Sequence, residues 1–243
     1  MKKKYPCLFC LSFSRSFKSE EHVLPRGLGN TLKVLPPGVV CDKCNNGVLA
    51  GLDEVLTNFD PIKFQRIMNG ITNREGKVQP SKHNNLDITQ IGPNHLGVVM
   101  KSKKASYFQP TETGFNLTVV GGHKITNSYM KKVLRALYKM GLEMVYSDLG
   151  ARTAYAKRFD GIRKIVLGQQ DFSGSVAFVK HPEIIRKAEA KHHTYIMGGK
   201  KVSFFNFNYY GVQMLYGMEK RNARESDKIP SGVLDIISVH KGK

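Results

Sequence analysis

The chain has 243 residues, 41% of them hydrophobic and 23% charged, which excludes a disordered or collagen-like protein. No stretch approaches the ~18 consecutive apolar residues of a membrane span, and no apolar segment follows the lysines at positions 2–4 as it would in a signal peptide. We therefore expect a soluble, cytoplasmic protein. The net charge of +19 favours a polyanionic partner, most often nucleic acid, over an anionic membrane surface; a merely solubilising basic surface is the alternative.

The first predicted feature is a zinc site built from all four cysteines. They form two Cys-x-x-Cys pairs, Cys7 with Cys10 and Cys41 with Cys44. Each pair makes a tight turn that directs two thiolates at one ion, and two such turns complete a tetrahedral site. Because four thiolates leave no position for water, this zinc is expected to be structural. A redox dithiol and four ordinary buried thiols are the alternatives.

A second group of polar residues lies between and just after these pairs. The run Glu21–Pro25 is typical of a strand end that enters a loop. Asn45 follows the last cysteine and is a favoured helix N-cap. The residues after it have the spacing of one apolar helical face: Leu49, Leu52, Val55 and Leu56. The predicted order is therefore cysteine pair, hairpin, cysteine pair, helix.

Together, Cys-x-x-Cys, Glu-His-Val-x-Pro and Cys-x-x-Cys-Asn resemble the HNH endonuclease family with its ββα-metal fold. The resemblance is to zinc-containing members, namely stand-alone bacterial HNH nucleases and the phage recombination endonuclease VII group. It covers about residues 5–60, and a weaker likeness to the C-terminal half of stand-alone HNH proteins covers residues 131–168 and 202–216. It implies that His22 is the general base, that Glu21 and Asn45 hold a catalytic Mg²⁺ or Mn²⁺, and that cleavage leaves a 5′-phosphate.

The residue types suit phosphodiester hydrolysis, because a neutral imidazole can accept a proton from water near pH 7 and one Mg²⁺ can neutralise phosphate oxygens. The sequence departs from the family pattern in lacking an asparagine at 35–40 and in having Val48 where endonuclease VII relatives have an acid. Asp53, on the same predicted helical face, is a further candidate metal ligand.

Each of these residues has a plainer interpretation. His22 can be a fifth zinc-ligand candidate or a hydrogen-bonded loop histidine, Glu21 a solvated acid, and Asn45 only a helix cap. Asp53 can be a surface acid. Arg26 is a candidate contact to the scissile phosphate, or an ordinary loop arginine.

The remaining elements follow in chain order. A loop-rich connector with a short strand covers residues 70–95. Lys101, Lys103 and Lys104 lie between two predicted strands, beside aromatic residues, a pattern that suits phosphate contact with stacking. A long amphipathic helix extends from the Thr126 cap to about Ser147 and carries three further candidate nucleic-acid contacts: Lys131, Lys132 and Arg135. These three and Lys139 lie mostly away from its apolar face, on a basic side that is either solvated or in contact with DNA. Helices are predicted at 155–167 and 183–190, and strands at 176–179, within 201–218 and at 233–239.

These patterns predict an α+β protein with a ββα-metal nuclease unit at residues 1–65 and a larger basic α+β domain with an antiparallel sheet at residues 66–243. The function expected from the resemblance is metal-dependent hydrolysis of DNA phosphodiester bonds, with RNA left open, in the setting of anti-phage defence. A homodimer and a defence-system ATPase or sensor subunit are the expected partners. The alternative is a non-catalytic, zinc-stabilised nucleic-acid-binding protein or a subunit of a larger complex.

Overall fold

The computed structural model has the mixed α+β architecture that the sequence predicts. In the part of the chain that it describes, all strand pairs are antiparallel. No helix among the described residues is long and apolar enough to cross a membrane. The described residues are 5–29, 33–73, 75–92, 95–101, 108–112, 114–117, 125–179, 188–197, 200–218 and 233–239.

A short hairpin followed by a helix forms the N-terminal part of the fold. Strand β1 (Glu21–His22) pairs with β2 (Val34–Leu35). Helix α1 (Asp42–Cys44) then continues through a π-helical turn (Asn45–Leu49) into α2 (Ala50–Thr57). Three leucines of the predicted apolar face are buried: Leu49, Leu52 and Leu56. The order hairpin then helix is therefore present as predicted, but the helix begins at Asp42, within the second cysteine pair, so Asn45 has a helical backbone and is not the N-cap.

Helix α4 (Asn127–Leu149) is the longest helix among the described residues, and it begins where the sequence predicts. Thr126 caps it, because its Oγ1 accepts a hydrogen bond of 3.1 Å from the backbone N–H of Tyr129. Every residue from Ala136 to Val145 is buried, so this segment is enclosed on all sides and is not a surface helix with one apolar stripe.

One side of α4 packs on a five-stranded antiparallel sheet in the order β12–β8–β11–β10–β9. The helix approaches closely at Gly141, where a Cβ atom would lie 3.4 Å from the Phe205 ring. Three alternate aromatic residues of β10 are buried in the core: Phe205, Phe207 and Tyr209. The strands are β8 (Gly174–Val179), β9 (Ala188–Met197), β10 (Lys200–Tyr209), β11 (Val212–Gly217) and β12 (Val233–Val239).

Two predicted helices differ from the observed elements. The single helix predicted at 155–167 is divided into α5 (Ala151–Ala154), a 3₁₀ turn (Lys157–Phe159) and α6 (Asp160–Val166). Most of the helix predicted at 183–190 lies outside the described residues, and strand β9 begins at Ala188.

Residues 58–125 form a separate compact unit with its own small core. It contains a three-stranded sheet in the order β3–β4–β5 and a two-stranded hairpin, β6–β7. Buried Ile67, Leu86 and Ile88 form the core. The elements are α3 (Asp60–Met68), β3 (Ser81–Lys82), β4 (Leu86–Gly92), β5 (His95–Met100), β6 (Phe108–Thr111) and β7 (Gly114–Leu117).

The compact units therefore differ from the division at residue 65 that the sequence predicts. Contacts group residues 1–57 with residues 126–243, and residues 58–125 are inserted between these two parts of the chain. Long-range contacts that no local pattern reveals are the physical reason. The backbone of Leu8 and the side chain of Glu21 are both bound by residues that lie more than a hundred positions later.

Candidate functional site

The four cysteines of the two Cys-x-x-Cys pairs converge on one point. Their Sγ atoms all lie within 4.8 Å of one another. Cys10 Sγ and Cys41 Sγ are 3.7 Å apart, close to the separation of about 3.8 Å that tetrahedral Zn–S bonds of ~2.3 Å require. The backbone N–H of Cys41 also donates a hydrogen bond of 3.4 Å to Cys7 Sγ. The cluster is therefore positioned to hold a metal ion such as zinc.

The thiols of this cluster also perturb one another. A hydrogen bond from the Cys44 thiol lowers the pKa of Cys7 to about 4, while the same interaction and burial raise the pKa of Cys44 above its usual value. Without a cation, ionisation of one thiol thus opposes ionisation of its neighbour. A bound cation removes this conflict, because each thiolate then faces positive charge.

Hydrogen bonds beside the cysteines fix the hairpin to the helix that follows it. Asp42, the first residue of α1, accepts hydrogen bonds from the backbone N–H of Ser19 at 2.8 Å and from its hydroxyl at 2.6 Å. Hydrogen bonds from Ser16 and Ser19 hold the pKa of Asp42 below its usual range. The segment leading into β1 is therefore held at the start of the helix.

Asn45 lies against the strand that carries the candidate base. Its Nδ2 donates a hydrogen bond of 2.8 Å to the backbone oxygen of Glu20, directly before Glu21 and His22. This bond uses the amide nitrogen, so it does not consume Oδ1, the atom with which an asparagine binds a metal. The predicted neighbourhood of Asn45 with the Glu21–His22 strand is present in the structure.

Glu21 and Asp53 are also close together, but a lysine joins them. The ammonium group of Lys139, from the middle of α4, lies 2.6 Å from Glu21 Oε1 and 2.7 Å from Asp53 Oδ1. It also donates to the backbone oxygen of His22 at 3.4 Å. The sequence placed Lys139 on a basic, mostly exposed helix face. That placement is wrong, since its side chain is fully buried.

A third carboxylate completes this group, which we call the Lys139 cluster: Lys139, Glu21, Asp53 and Glu143. Glu143 is fully buried, and its Oε2 lies 3.7 Å from the ammonium group. Burial raises the pKa of Glu143 well above its usual value, although Lys139 opposes the shift. Burial alone would lower the pKa of Lys139, but the three carboxylates raise it. Lys139 is therefore charged at neutral pH.

One oxygen of Glu21 is not held by Lys139. Oε2 of Glu21 is buried and has no hydrogen-bond partner among the described residues, whereas Oε1 is held by Lys139. Burial raises the pKa of Glu21, and the charge of Lys139 opposes that shift. A carboxylate with one fixed oxygen and one unpartnered oxygen is suited to bind a cation through the second.

His22 follows Glu21 on β1 and is only partly buried. Burial and the nearby charge of Arg26 lower the pKa of His22 below its usual value, so the imidazole is neutral at pH 7. Its Nδ1 is buried without a hydrogen-bond partner among the described residues. His22 is not needed as a ligand at the four-cysteine cluster, because four thiols suffice for a tetrahedral metal ion.

Among the described residues, the predicted nucleic-acid contacts are partly exposed and partly engaged in contacts within the chain. Arg26 and Lys132 are exposed. Lys101 pairs with Asp87 at 2.7 Å, Lys131 pairs with Asp171 at 2.5 Å, and Arg135 donates to the backbone oxygen of Val166 at 2.8 Å. Lys103 and Lys104 lie outside the described residues.

Three residues that tie the site together were not singled out as site residues from the sequence. Lys139 and Glu143 are spaced i and i+4, the spacing of an ordinary surface ion pair, so nothing local marks them as buried. Arg163 Nε donates to the backbone oxygen of Leu8 at 2.8 Å, and its NH1 pairs with Asp160 at 2.8 Å. Arg163 thereby holds the loop of the first cysteine pair.

No protein-family model, curated protein or solved structure matches this chain. The site is therefore described from the geometry of this chain alone.

Proposed function

We propose that this protein is a metal-dependent endonuclease of the HNH type that hydrolyses DNA phosphodiester bonds. One observation supports the proposal: Asn45, directly after the second cysteine pair, donates a hydrogen bond to the backbone oxygen of Glu20, the residue before Glu21 and His22. This is the arrangement that the HNH resemblance implies. The cysteine cluster holds a structural zinc, and its role is to keep the hairpin and the helix in register.

In this proposal His22 is the general base. Its neutral imidazole, partly exposed on β1, accepts a proton from the attacking water. Arg26, exposed beside it, contacts the phosphate. Glu21, through the oxygen that Lys139 does not hold, and Asn45, through Oδ1, would hold one Mg²⁺ or Mn²⁺. That ion would supply positive charge to the phosphate oxygens.

A plasmid assay tests this function. Supercoiled DNA is incubated with the full chain and Mg²⁺ or Mn²⁺, and nicked and linear products are measured. We expect cleavage that EDTA abolishes and that His22→Ala reduces by at least ~100-fold. His95→Ala is the matched control, since His95 is exposed on β5, in the other compact unit. Equal cleavage by His22→Ala and wild type would contradict the assignment.

The Lys139 cluster favours a second candidate function. Because Glu21 and Asp53 already pair with a buried ammonium group, both acids can serve the fold alone. The protein would then be a zinc-stabilised nucleic-acid-binding protein without catalysis. A salt-sensitive gel shift without any metal-dependent cleavage would support this candidate over the nuclease.

A further inference from the structure

The segment of residues 150–170 gathers positive charge at the surface of the protein. It contains five basic residues and a single acid, Asp160. Asp160 pairs with Arg163, whose NH1 lies 2.8 Å from its Oδ1, and Arg163 is buried. The other four basic residues are exposed and have no ion pair in the part of the chain that the structure describes: Arg152, Lys157, Arg158 and Lys164.

Among the described residues, the elements packed against this segment do not supply an unpaired acid. Glu143 of α4 is buried in the Lys139 cluster. The loop of the first cysteine pair, residues 5–18, contains no acid. The other acids on α4, on β9 and directly after the segment are ion-paired: Asp148 with Lys33, Glu189 with Lys191 and Asp171 with Lys131. The four exposed cations are therefore not neutralised from within this part of the protein.

Two of these cations lie on either side of Gly161. Lys157, in the 3₁₀ turn, precedes Gly161 by four residues, and Lys164 follows it by three. The turn continues into α6 through Asp160, which has a right-handed helical backbone. Residues at these spacings lie on one face of a helix. At 1.5 Å per residue the face extends about 10 Å, which is the axial length of about three phosphates along one strand of a duplex.

Gly161 is not required by the packing of the described chain. It lies within α6 and its φ is not positive, so an alanine would fit the backbone and would favour the helix. A Cβ atom at this position would have no heavy atom of a neighbouring element within 4 Å. A glycine between two lysines on an open face lets another backbone approach closely, which points to a ligand outside the chain.

We propose that this face, which consists of Lys157, Arg158, Gly161 and Lys164 and is called the α6 face below, binds the phosphate backbone of a nucleic-acid duplex. Phe159 is buried, and Arg158 Cζ lies 4.8 Å from the centroid of its ring. The α6 face thus exposes no aromatic ring that would stack on a base. The contact is to phosphates and does not depend on sequence. The net charge of +19 fits a long polyanion as the ligand.

The inference rests on the proposed function only in that it names a surface that holds the substrate, and it does not require cleavage. The α6 face belongs to the same compact unit as His22. Its segment also holds the loop of the first cysteine pair. Arg163 Nε donates to the backbone oxygen of Leu8 at 2.8 Å, and the Tyr155 hydroxyl donates to that of Pro6 at 2.5 Å. A duplex at the α6 face is therefore bound to the unit that contains the candidate site.

The test measures binding of the full chain to a labelled duplex by fluorescence anisotropy at salt concentrations from about 50 to 200 mM. No Mg²⁺ or Mn²⁺ is added, and a gel verifies that the duplex stays intact. The variant Lys157→Gln/Lys164→Gln removes two charges from the α6 face. The control Lys77→Gln/Lys82→Gln removes two exposed lysines from the other compact unit. Both variants lower the net charge equally, so a difference between them reports the site itself.

We expect the α6-face variant to reduce the slope of log affinity against log salt by about 1.8, or 0.9 for each lost phosphate contact. The control is expected to change the slope by less than about 0.9. Equal reductions in both variants would overturn the proposal, because net charge alone would then set the affinity.

Gly161→Ala tests the close approach without changing any charge. We expect this variant to melt at or above the temperature of the wild type, because alanine favours a helix over glycine. It should nevertheless bind the duplex several-fold more weakly, because the added methyl group stands between the two lysines. A merely structural glycine would affect the melting temperature alone. An unchanged affinity would overturn the close contact that the proposal requires.

Vesicles of phosphatidylserine distinguish a nucleic acid from an anionic membrane surface as the ligand. Vesicle binding that the α6-face variant loses, together with a duplex slope that it keeps, would overturn the proposal. A wild type that shows the expected difference in slope but never cuts DNA contradicts only the nuclease. A protein that cuts DNA while its α6-face variant binds like the control contradicts only this inference.

Discussion

The ammonium group of Lys139 is buried, and nearby carboxylates offset the free-energy cost of removing its charge from water. An ammonium group removed from water loses several kcal/mol of hydration. Here it has carboxylate oxygens at 2.6 and 2.7 Å and a third carboxylate at 3.7 Å. Burial raises the pKa of both Glu21 and Asp53, and the charge of Lys139 opposes that shift in each.

We predict that Lys139→Met destabilises the protein by about 3–5 kcal/mol, because it leaves buried carboxylates without their cation. Unfolding in guanidinium chloride, followed by circular dichroism, measures the change. Lys164→Met is the matched control, since Lys164 is exposed on α6, and it should change the free energy of unfolding by no more than about 0.5 kcal/mol. Equal midpoints for the two variants would show that the cluster contributes nothing.

The sequence indicates which single residues are candidates for a site, but it does not indicate which distant residues pair with them. Residue type and spacing predict the four-cysteine cluster, because each Cys-x-x-Cys pair is a local turn. The neighbourhood of Asn45 with the Glu21–His22 strand is what the HNH resemblance implies. The pairing of Glu21 with Lys139 joins positions 118 residues apart, and no periodicity reports such a contact. Lys139 lies in a segment of α4 that is buried on all sides. Exposure was predicted for it only because it is charged.

At the scale of elements, the hairpin and the helix α2 are too short to be stable alone. β1 and β2 have two residues each and α2 has eight, well below the ~12–15 residues at which isolated helices become even marginally stable. The four-cysteine cluster and the Ser19–Asp42 hydrogen bonds supply the missing constraint. Metal binding and folding of this part should therefore be coupled.

We predict that the purified protein carries one metal ion per chain and that a strong chelator removes both the ion and the structure of the N-terminal part. Native mass spectrometry counts the ion, and thermal melting with and without chelator measures the stability. Cys41→Ser should lose the ion and lower the melting temperature, as the chelator does. A metal-free wild type with an unchanged melting temperature would contradict a structural role.

The turn between β3 and β4 carries a pH dependence of its own. His83 is buried and shares a 2.7 Å hydrogen bond with Ser81 through Nε2. Burial lowers the pKa of His83 below its usual ~6.5, with Asp60 and Asp87 opposing and Lys63 and Lys101 reinforcing the shift. The unfolded unit thus binds a proton more readily than the folded one, so stability falls as the pH drops below about 7.

Hydrogen exchange at the amides of β4 measures this effect. We expect their protection to decrease between pH 7.5 and 5, after correction for intrinsic exchange, while the amides of α4 change less. His83→Gln should be less stable at pH 7.5 but should show a smaller decrease on acidification. An equal pH response in His83→Gln and wild type would rule out His83 as the titrating group.

At the scale of the whole molecule, two segments that are far apart in the sequence belong to one compact unit. The four-cysteine segment and the helices and sheet beyond residue 126 form one compact unit, with residues 58–125 inserted between them. The sequence predicted a boundary near residue 65 because the cysteines and the HNH-like motifs all lie within the first 60 residues. Buried contacts, such as that of Arg163 with the backbone of Leu8, instead decide which segments fold together.

This grouping predicts the behaviour of an isolated N-terminal fragment. Residues 1–65 contain all four cysteines, His22 and Asn45, yet they lack Lys139 and Arg163. Glu21 would lose the ammonium group that offsets its burial, and the loop of the first cysteine pair would lose its anchor. We expect this fragment to show no cooperative thermal transition even with zinc. A chain in which a flexible linker replaces residues 58–125 should keep a cooperative transition, and a fragment as stable as the full chain would contradict the shared unit.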